Sequence, residues 1–131
     1  MIRGLGLDLC AIDDMAARLT DLASVFFANH FTPAEMSELR TRASRDPARH
    51  AAGRYAAKEA CVKALSTAAG GHRLVDVLDY REIEIVSAAG SPPYIRLHGQ
   101  LQLAVRKIGI ERMMLSMTHE HNMAAAVVII E

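Results

Sequence analysis

The chain has 131 residues, and its 51% hydrophobic content is enough to fill the core of one ordinary domain. Lysine plus arginine number 15, as do aspartate plus glutamate, and this zero net charge argues against general attraction to nucleic acid or to an anionic membrane. The two cysteines, Cys10 and Cys61, are too few for a disulfide scaffold, so we expect a cytoplasmic protein.

The neutral total hides two segments of opposite charge. Residues 1–38 carry a net charge of −4, whereas residues 40–63 carry +5, which suits a phosphorylated ligand. The first ten residues do not read as a signal peptide. The longest strongly apolar stretch, residues 123–130, is less than half the length of a membrane-spanning helix, so we expect a soluble protein.

Residues 4–10 alternate leucines with glycines and a carboxylate, which is the pattern of a β-strand with one apolar face. On the other face, Gly4 and Gly6 leave space for a bulky group to approach Asp8. Alternatively, Asp8 only caps the next helix.

Residues 13–28 predict one amphipathic helix. Thr32, with Pro33 and Glu35 behind it, predicts the start of a short helix that runs to about residue 42.

The second half of the chain changes character after a long helix. Asp46-Pro47 begins an alanine-rich helix that runs to about residue 68, where Gly70-Gly71 ends it. A β-hairpin (82–86 and 93–97), a helix (99–107) and two more strands (113–118 and 123–130) should follow. Strands at both ends and helices in the middle predict a single α+β domain, residues 1–131, with a largely antiparallel sheet.

Glu59 and Lys63 share one face of the long helix, with Tyr55 and Ser66 on adjacent rows. An ordinary surface ion pair is one interpretation. The alanines around them, however, allow another element to pack closely, and charges on a closely packed helix need a partner.

Two carboxylates on rigid elements, Asp8 and Glu59, suit magnesium, which takes few protein carboxylates and completes its shell with water and phosphate oxygens. Lys63 and Arg54 would then supply positive charge for the phosphates.

His119, Glu120 and His121 lie in the connection between the last two predicted strands, from which they can reach a neighbouring site. The alternative is a polar turn. Zinc binding by the two histidines has little support, because neither a cysteine nor a third spaced ligand accompanies them.

Five segments together, in this order, resemble the holo-acyl-carrier-protein synthases, the short bacterial type of 4′-phosphopantetheinyl transferase. The segments are MIRGLGLDLC, FTPAEM, AAGRYAAKEACVKAL, GSPPYIRLHG and LSMTHEHNMAAAVVIIE. The resemblance implies a mostly antiparallel sheet wrapped around a long central helix. It also implies transfer of the phosphopantetheine group of coenzyme A to a serine of apo acyl carrier protein, in fatty-acid or polyketide biosynthesis. The other product would be adenosine 3′,5′-bisphosphate.

The same resemblance implies roles for the charged residues. Asp8 and Glu59 would hold Mg²⁺, which also binds the coenzyme A diphosphate, and Lys63 would stabilise or protonate the leaving group. Arg54 falls at the position of the family arginine that helps to hold coenzyme A.

Further positions match the family more loosely. His119 would lie near the coenzyme, and Arg49 and His50 precede the main helix where members place basic residues for the 3′-phosphate. Glu120 stands where some members carry an aspartate proposed as the general base. Glu120, or Glu59 through a metal-bound water, would be the general base, and both alternatives remain open.

Two departures from the family pattern bear on function. Ser66-Thr67-Ala68-Ala69 replaces a glycine-rich turn, so the turn beside the phosphates is either shaped differently or closed by the Ser66 and Thr67 hydroxyls. The first helix begins with Asp13-Asp14, which argues against docking of an acidic carrier protein through that helix.

The family resemblance also predicts an oligomer. The chain has one such metal-binding strand and one such helix, whereas the larger phosphopantetheinyl transferases resemble two of these halves fused, so we expect it to self-assemble. Short members of the family associate as trimers with coenzyme A between subunits, and the resemblance therefore implies a homotrimer. Two alternatives to the transferase are a non-catalytic, carrier-binding homologue and a magnesium-dependent hydrolase of nucleotide diphosphates.

Overall fold

The computed structural model describes residues 1–41 and 45–131. The helix predicted to start at Thr32 should end near residue 42, which lies outside the described residues. In chain order the elements are β1 (Gly4–Ala11), α1 (Ile12–Arg18), α2 (Val25–His30), α3 (Pro33–Thr41), α4 (Pro47–Ala68), a 3₁₀ turn (Tyr80–Glu82), β2 (Ile83–Val86), β3 (Tyr94–Leu97), α5 (Gly99–Lys107), β4 (Met113–Glu120) and β5 (Met123–Ile130).

The strands form two antiparallel sheets. One has three strands in the order β1-β5-β4, and the other is the β2-β3 hairpin. Helix α4 packs against β1 and β5, and its alanines join the buried side chains of the sheet in the main hydrophobic core. The expected α+β fold, an antiparallel sheet around a long helix, is confirmed.

Strand β1 and helix α4 are in unusually close contact. A Cβ atom on Gly6 would overlap the carbonyl oxygen of Ala60, and a Cβ atom on Gly4 would overlap that of Ala64. The space that the two glycines leave is therefore occupied by α4 itself, which brings the charged face of the helix to Asp8 at the end of this contact.

The apolar face of β1 points away from this core. Leu5, Leu7 and Leu9 are 57%, 60% and 58% exposed. In register they lie beside alternate residues of β5, with β4 beyond it. We call the resulting open surface the outer sheet face; it comprises Leu5, Leu7, Leu9, Met114, Ser116, Thr118, Glu120, Met123, Ala125, Val127 and Ile129.

The prediction of one helix over residues 13–28 is wrong, because two short helices, α1 and α2, occupy this region. The intervening polar groups bond locally: Thr20 Oγ1 donates to Ala17 O at 2.8 Å, and Asp21 Oδ1 accepts from Ala23 N at 3.1 Å. Such local bonds compete with helix continuation.

No helix in the described part of the chain is long and apolar enough to cross a membrane.

A buried ion pair joins α4 to α3 and the hairpin. Lys58 Nζ lies 2.7 Å from Glu35 Oε1 and also donates to Ile83 O at 2.7 Å. The predicted helix start at Thr32 is confirmed, since Thr32 Oγ1 accepts from Glu35 N and Glu35 Oε1 accepts from Thr32 N. The second oxygen of Glu35 accepts from Ile85 N at 3.0 Å. Glu35 therefore serves both as a helix cap and as the partner of Lys58.

Candidate active site

The outward face of α4 carries the first group of charged residues. Lys63 Nζ donates to Asp8 Oδ1 at 2.8 Å and to Leu7 O at 3.0 Å. The hydrogen bond to Asp8, reinforced by the charges of Asp8 and Glu59, raises the pKa of Lys63. The surface interpretation of an isolated Glu59–Lys63 pair is therefore wrong, because the lysine pairs across to β1. We call Asp8, Glu59 and Lys63 the carboxylate site.

Two tyrosines line the carboxylate site. Tyr55 precedes Glu59 by one helical turn on α4, and Tyr80 comes from the 3₁₀ turn. Burial, followed by the charge of Glu59 and a hydrogen-bond interaction with it, raises the pKa of Tyr55 to about 12. The same causes raise the pKa of Tyr80 well above its usual range. Both phenols therefore remain hydrogen-bond donors at neutral pH.

A second group of predicted residues lines a cavity of about 430 Å³ at the N-terminal end of α4. We call it the basic cleft; its charged and polar lining includes Asp46, Arg49, His50, Arg54, Ser87 and His119. Arg49 and His50, expected to precede this helix, lie within its first turn, because the helix begins at Pro47.

Arg54 is the most enclosed cation of the basic cleft. Its guanidinium donates to Ser87 Oγ and lies 3.7 Å from Glu38 Oε1. Burial lowers the pKa of Arg54, although Glu38 and Glu35 oppose this effect. In the described part of the chain, its buried Nε has no hydrogen-bond partner. A buried donor without a partner is a favourable contact for an anionic ligand.

The two histidines of the basic cleft differ in environment. Burial, followed by the charge of Arg54, lowers the pKa of His50 from 6.5 to about 4, so its ring is neutral at physiological pH. His119 is exposed at the end of β4, on the strand face that looks toward α4. Together they offer neutral or exposed imidazoles beside Arg49 and Arg54.

The predicted residues do not form one site within a single chain. An α-helix turns about 100° per residue, so Glu59 lies about 140° around α4 from Arg54 and about 180° from His50. The carboxylate site and the basic cleft are therefore on opposite sides of the same helix.

Ser66 lies on the side of the carboxylate site, two turns beyond Glu59, where it lines a mostly apolar cavity of about 280 Å³. The helix end is closed by backbone amides: Gly71 N donates to Ser66 O at 2.9 Å and Gly70 N to Thr67 O at 3.0 Å. The Thr67 hydroxyl instead bonds to Lys63 O. The alternative in which hydroxyls close this turn is thus wrong.

Glu120 does not join the basic cleft. Strand β4 extends to Glu120, beyond the predicted end at residue 118, so that only His121 and Asn122 form the turn. Successive residues of a strand point to opposite faces, and this alternation places Glu120 on the outer sheet face while His119 faces the cleft. Glu120 is 84% exposed and lies 3.4 Å from His121.

Within residues 1–41 and 45–131, no cluster of three or more metal-ligand side chains is found, so the zinc interpretation gains no support.

Tyr80, Ser87 and Glu38 were not predicted from the sequence. None belongs to a recognisable motif, and each lies at least 15 residues from the site residue that it contacts. Only the packing of the 3₁₀ turn, the hairpin and α3 against α4 brings them to it.

The model of the 4′-phosphopantetheinyl transferase superfamily matches residues 4–126. The chain belongs to this superfamily. It is 39% identical to the holo-[acyl-carrier-protein] synthase of Mycolicibacterium smegmatis over 132 aligned positions, which cover 99% of this chain and 97% of that protein. The similarity therefore extends over the residues of both the carboxylate site and the basic cleft.

Solved structures of similar proteins agree with this membership of the superfamily. The holo-[acyl-carrier-protein] synthase of Neisseria meningitidis superimposes with a TM-score of 0.83 at 30% identity, covering 100% of this chain and 99% of that one. The ACPS–CoA complex described as from Chronobacterium ammoniagenes gives a TM-score of 0.84 at 30% identity, over 97% of this chain and 95% of that one.

Proposed function

We propose that this protein is a magnesium-dependent holo-acyl-carrier-protein synthase. It transfers the 4′-phosphopantetheine group of coenzyme A to a serine of apo acyl carrier protein and releases adenosine 3′,5′-bisphosphate. The observation that carries the proposal is the pairing of Lys63 with Asp8 beside Glu59, in a chain that matches holo-acyl-carrier-protein synthases over its full length. Free thiols at Cys10 and Cys61 fit a cytoplasmic location.

The donor atoms of the carboxylate site fit Mg²⁺. Asp8 and Glu59 supply hard oxygens from a strand and a helix that are locked together, and Mg²⁺ needs only one or two carboxylates besides phosphate oxygens and water. When bound, the ion would neutralise the charge of the coenzyme A diphosphate.

Other side chains would then stabilise the leaving phosphate, bind the nucleotide and accept the proton of the serine. Lys63, held as a cation by Asp8, stabilises the charge that develops on the leaving phosphate. Arg54, with Arg49 and His50, holds the phosphorylated nucleotide end in the basic cleft, and His119 lies beside it. The attacking serine loses its proton to a carboxylate. We favour Glu59 over Glu120 for this role, because Glu59 belongs to the carboxylate site together with Lys63.

We also propose that the working form is a homotrimer in which the carboxylate site of one subunit faces the basic cleft of the next. Two observations support it. The groups needed for one coenzyme A lie on opposite sides of α4, and the outer sheet face exposes a continuous row of large apolar side chains, which is typical of an interface.

Intact-mass spectrometry of an apo carrier protein, incubated with this protein, coenzyme A and Mg²⁺, tests the activity. A mass gain of one phosphopantetheine is expected. Unmodified carrier with several carrier proteins would support the non-catalytic homologue, and cleavage of coenzyme A without carrier would support the hydrolase.

Complementation tests the shared site. Glu59→Gln removes a group of the carboxylate site and Arg54→Ala removes a group of the basic cleft, so each variant alone should be inactive. After the two are unfolded and refolded together, roughly a quarter of the subunit boundaries would pair two intact halves, and activity should return in proportion. No recovery in mixed oligomers would show that each active site is built within one chain.

A further inference from the structure

The Arg54 guanidinium of the basic cleft is held by an uncharged partner, Ser87. It donates a hydrogen bond to Ser87 Oγ, whereas Glu38 Oε1 lies 3.7 Å away, which is too far for a hydrogen bond. A guanidinium has several N–H donors, and in the described part of the chain the buried Nε has no partner. Ser87 therefore restrains one side of the cation and leaves other donors available for an anion.

The Ser87 hydroxyl reaches the cleft from the hairpin, which is bonded to both neighbouring helices. Ser87 directly follows β2. Lys58 of α4 donates to Ile83 O at 2.7 Å. Ile85 N donates to Glu35 Oε2 of α3 at 3.0 Å. Because β2 is anchored in this way, the hydroxyl that follows it is in place before a ligand binds.

A hydroxyl suits this position better than a carboxylate would. Serine Oγ accepts a hydrogen bond from a guanidinium without neutralising its charge. A carboxylate in its place would form a charged pair and compete with an anionic ligand for the same donors. Ser87 also lines the same cavity as Arg54, Arg49 and His119, so it borders the space that the ligand would occupy.

We propose that Ser87 is a positioning residue of the basic cleft, which holds the Arg54 guanidinium in the orientation that binds the phosphorylated nucleotide end of coenzyme A. The inference rests on the proposed function, which gives Arg54 its anionic ligand. An arginine side chain has many rotamers, and a partner that fixes one of them in advance reduces the conformational entropy lost on binding.

Removal of the hydroxyl alone tests this role. Ser87→Ala removes it, and Ser87→Thr keeps a hydroxyl at the same position. Ser91→Ala, at an exposed serine in the connection between β2 and β3, is the matched control. Isothermal titration calorimetry measures the binding of adenosine 3′,5′-bisphosphate to the full chain in EDTA, so that neither turnover nor a metal contributes.

We expect Ser87→Ala to bind the bisphosphate about 10-fold more weakly, which corresponds to about 1.4 kcal/mol. Ser87→Thr and Ser91→Ala should bind it like the wild type. Arg54→Ala should also bind it weakly, and adding Ser87→Ala should cause no further loss, because the group that Ser87 orients is gone. In the transfer assay, Ser87→Ala should raise KM for coenzyme A while kcat changes little. A merely structural role would not produce this split.

A Ser87→Ala variant that binds the bisphosphate as tightly as the wild type would overturn the proposal. The same conclusion would follow if Ser87→Ala caused an equal loss with and without Arg54, since the hydroxyl would then act independently of the guanidinium.

Arg54→Ala separates these failures from that of the proposed function. If Arg54→Ala loses the bisphosphate but Ser87→Ala does not, only the positioning role is wrong. If Arg54→Ala binds the bisphosphate normally, the role of Arg54 in the proposed function fails as well.

Discussion

Gly6 of β1 lies directly against Ala60 of α4, with no room for a side chain between the strand and the helix. This contact holds Asp8, two residues further along β1, opposite Lys63. We expect Gly6→Ala to force the two elements apart, because the new Cβ atom meets backbone that cannot yield. Chemical denaturation should show a loss of about 1–3 kcal/mol in the free energy of unfolding.

Gly53→Ala is the matched control for Gly6→Ala. Its Cβ atom would meet only the flexible end of Met117, and alanine is favoured over glycine within a helix. Equal destabilisation by the two substitutions would contradict the close contact of β1 with α4.

Lys63→Gln should reduce transfer without unfolding the protein. The lysine is exposed and its hydrogen bond to Asp8 keeps it charged, so its loss removes positive charge where the leaving phosphate develops its negative charge. We expect kcat/KM to fall by about 10²- to 10³-fold, measured by the mass gain of the carrier protein. Lys107→Gln, at the exposed end of α5, is the control. A drop of less than threefold (roughly 0.6 kcal/mol) would exclude a catalytic charge at Lys63.

Leu7→Glu should prevent self-association. It places a charge in the middle of the exposed leucine row of the edge strand β1, and this charge would lose its hydration if the row were buried in a trimer. Light scattering coupled to size-exclusion chromatography should then report a monomer that retains the circular dichroism spectrum of the wild type and has lost transfer activity. Val77→Glu, an exposed apolar residue outside the sheet, is the control. A fully active Leu7→Glu monomer would contradict the shared site.

His50 should make the protein less stable in mild acid. Its pKa is about 4 in the folded chain but 6.5 ordinarily, so between these pH values the unfolded chain binds a proton that the folded chain does not. The free energy of unfolding therefore rises with pH across this window. As the pH falls through the window, the contribution of His50, on the order of 3 kcal/mol, is lost. Denaturation at pH 7 and pH 4.5 should show a smaller difference for His50→Gln than for the wild type.

His72→Gln, at an exposed position after α4, controls for other histidines. Arg54 and Glu38 face the His50 ring from α4 and α3, so a wild-type difference that persists in His50→Gln would assign the pH dependence to other groups.

Glu35→Gln should be strongly destabilising. It leaves the fully buried Lys58 ammonium without its counter-charge, and removal of one member of a buried ion pair costs about 3–5 kcal/mol. Urea denaturation would measure this change. Asp79→Asn breaks the exposed pair with Arg81 and should change stability by less than about 1 kcal/mol. Similar values for both variants would show that Lys58 is neutral or hydrated in the fold.

Much of the fold followed from local patterns. The alternation in β1, the capping residues Thr32 and Glu35, and the start of α4 at Asp46-Pro47 are short-range signals, and the structure bears them out. The common face of Glu59 and Lys63 followed in the same way from helical geometry. The break between α1 and α2 was missed, because residues 19–24 keep a helical spacing of apolar side chains while their polar groups form local bonds instead.

The sequence by itself determined the residue types of the candidate site, the helix that carries most of them and, through five ordered motifs, the family. Only the tertiary structure decided that the leucines of β1 lie on an open face, because a strand pattern separates two faces but does not say which one the helix covers. It alone decided that Glu59 and Arg54 look in opposite directions and that Ser87 reaches Arg54. These relationships depend on how α4 packs between the sheet, the hairpin and α2. Contacts between residues far apart in the chain produce no periodic sequence pattern, so the sequence alone does not predict them.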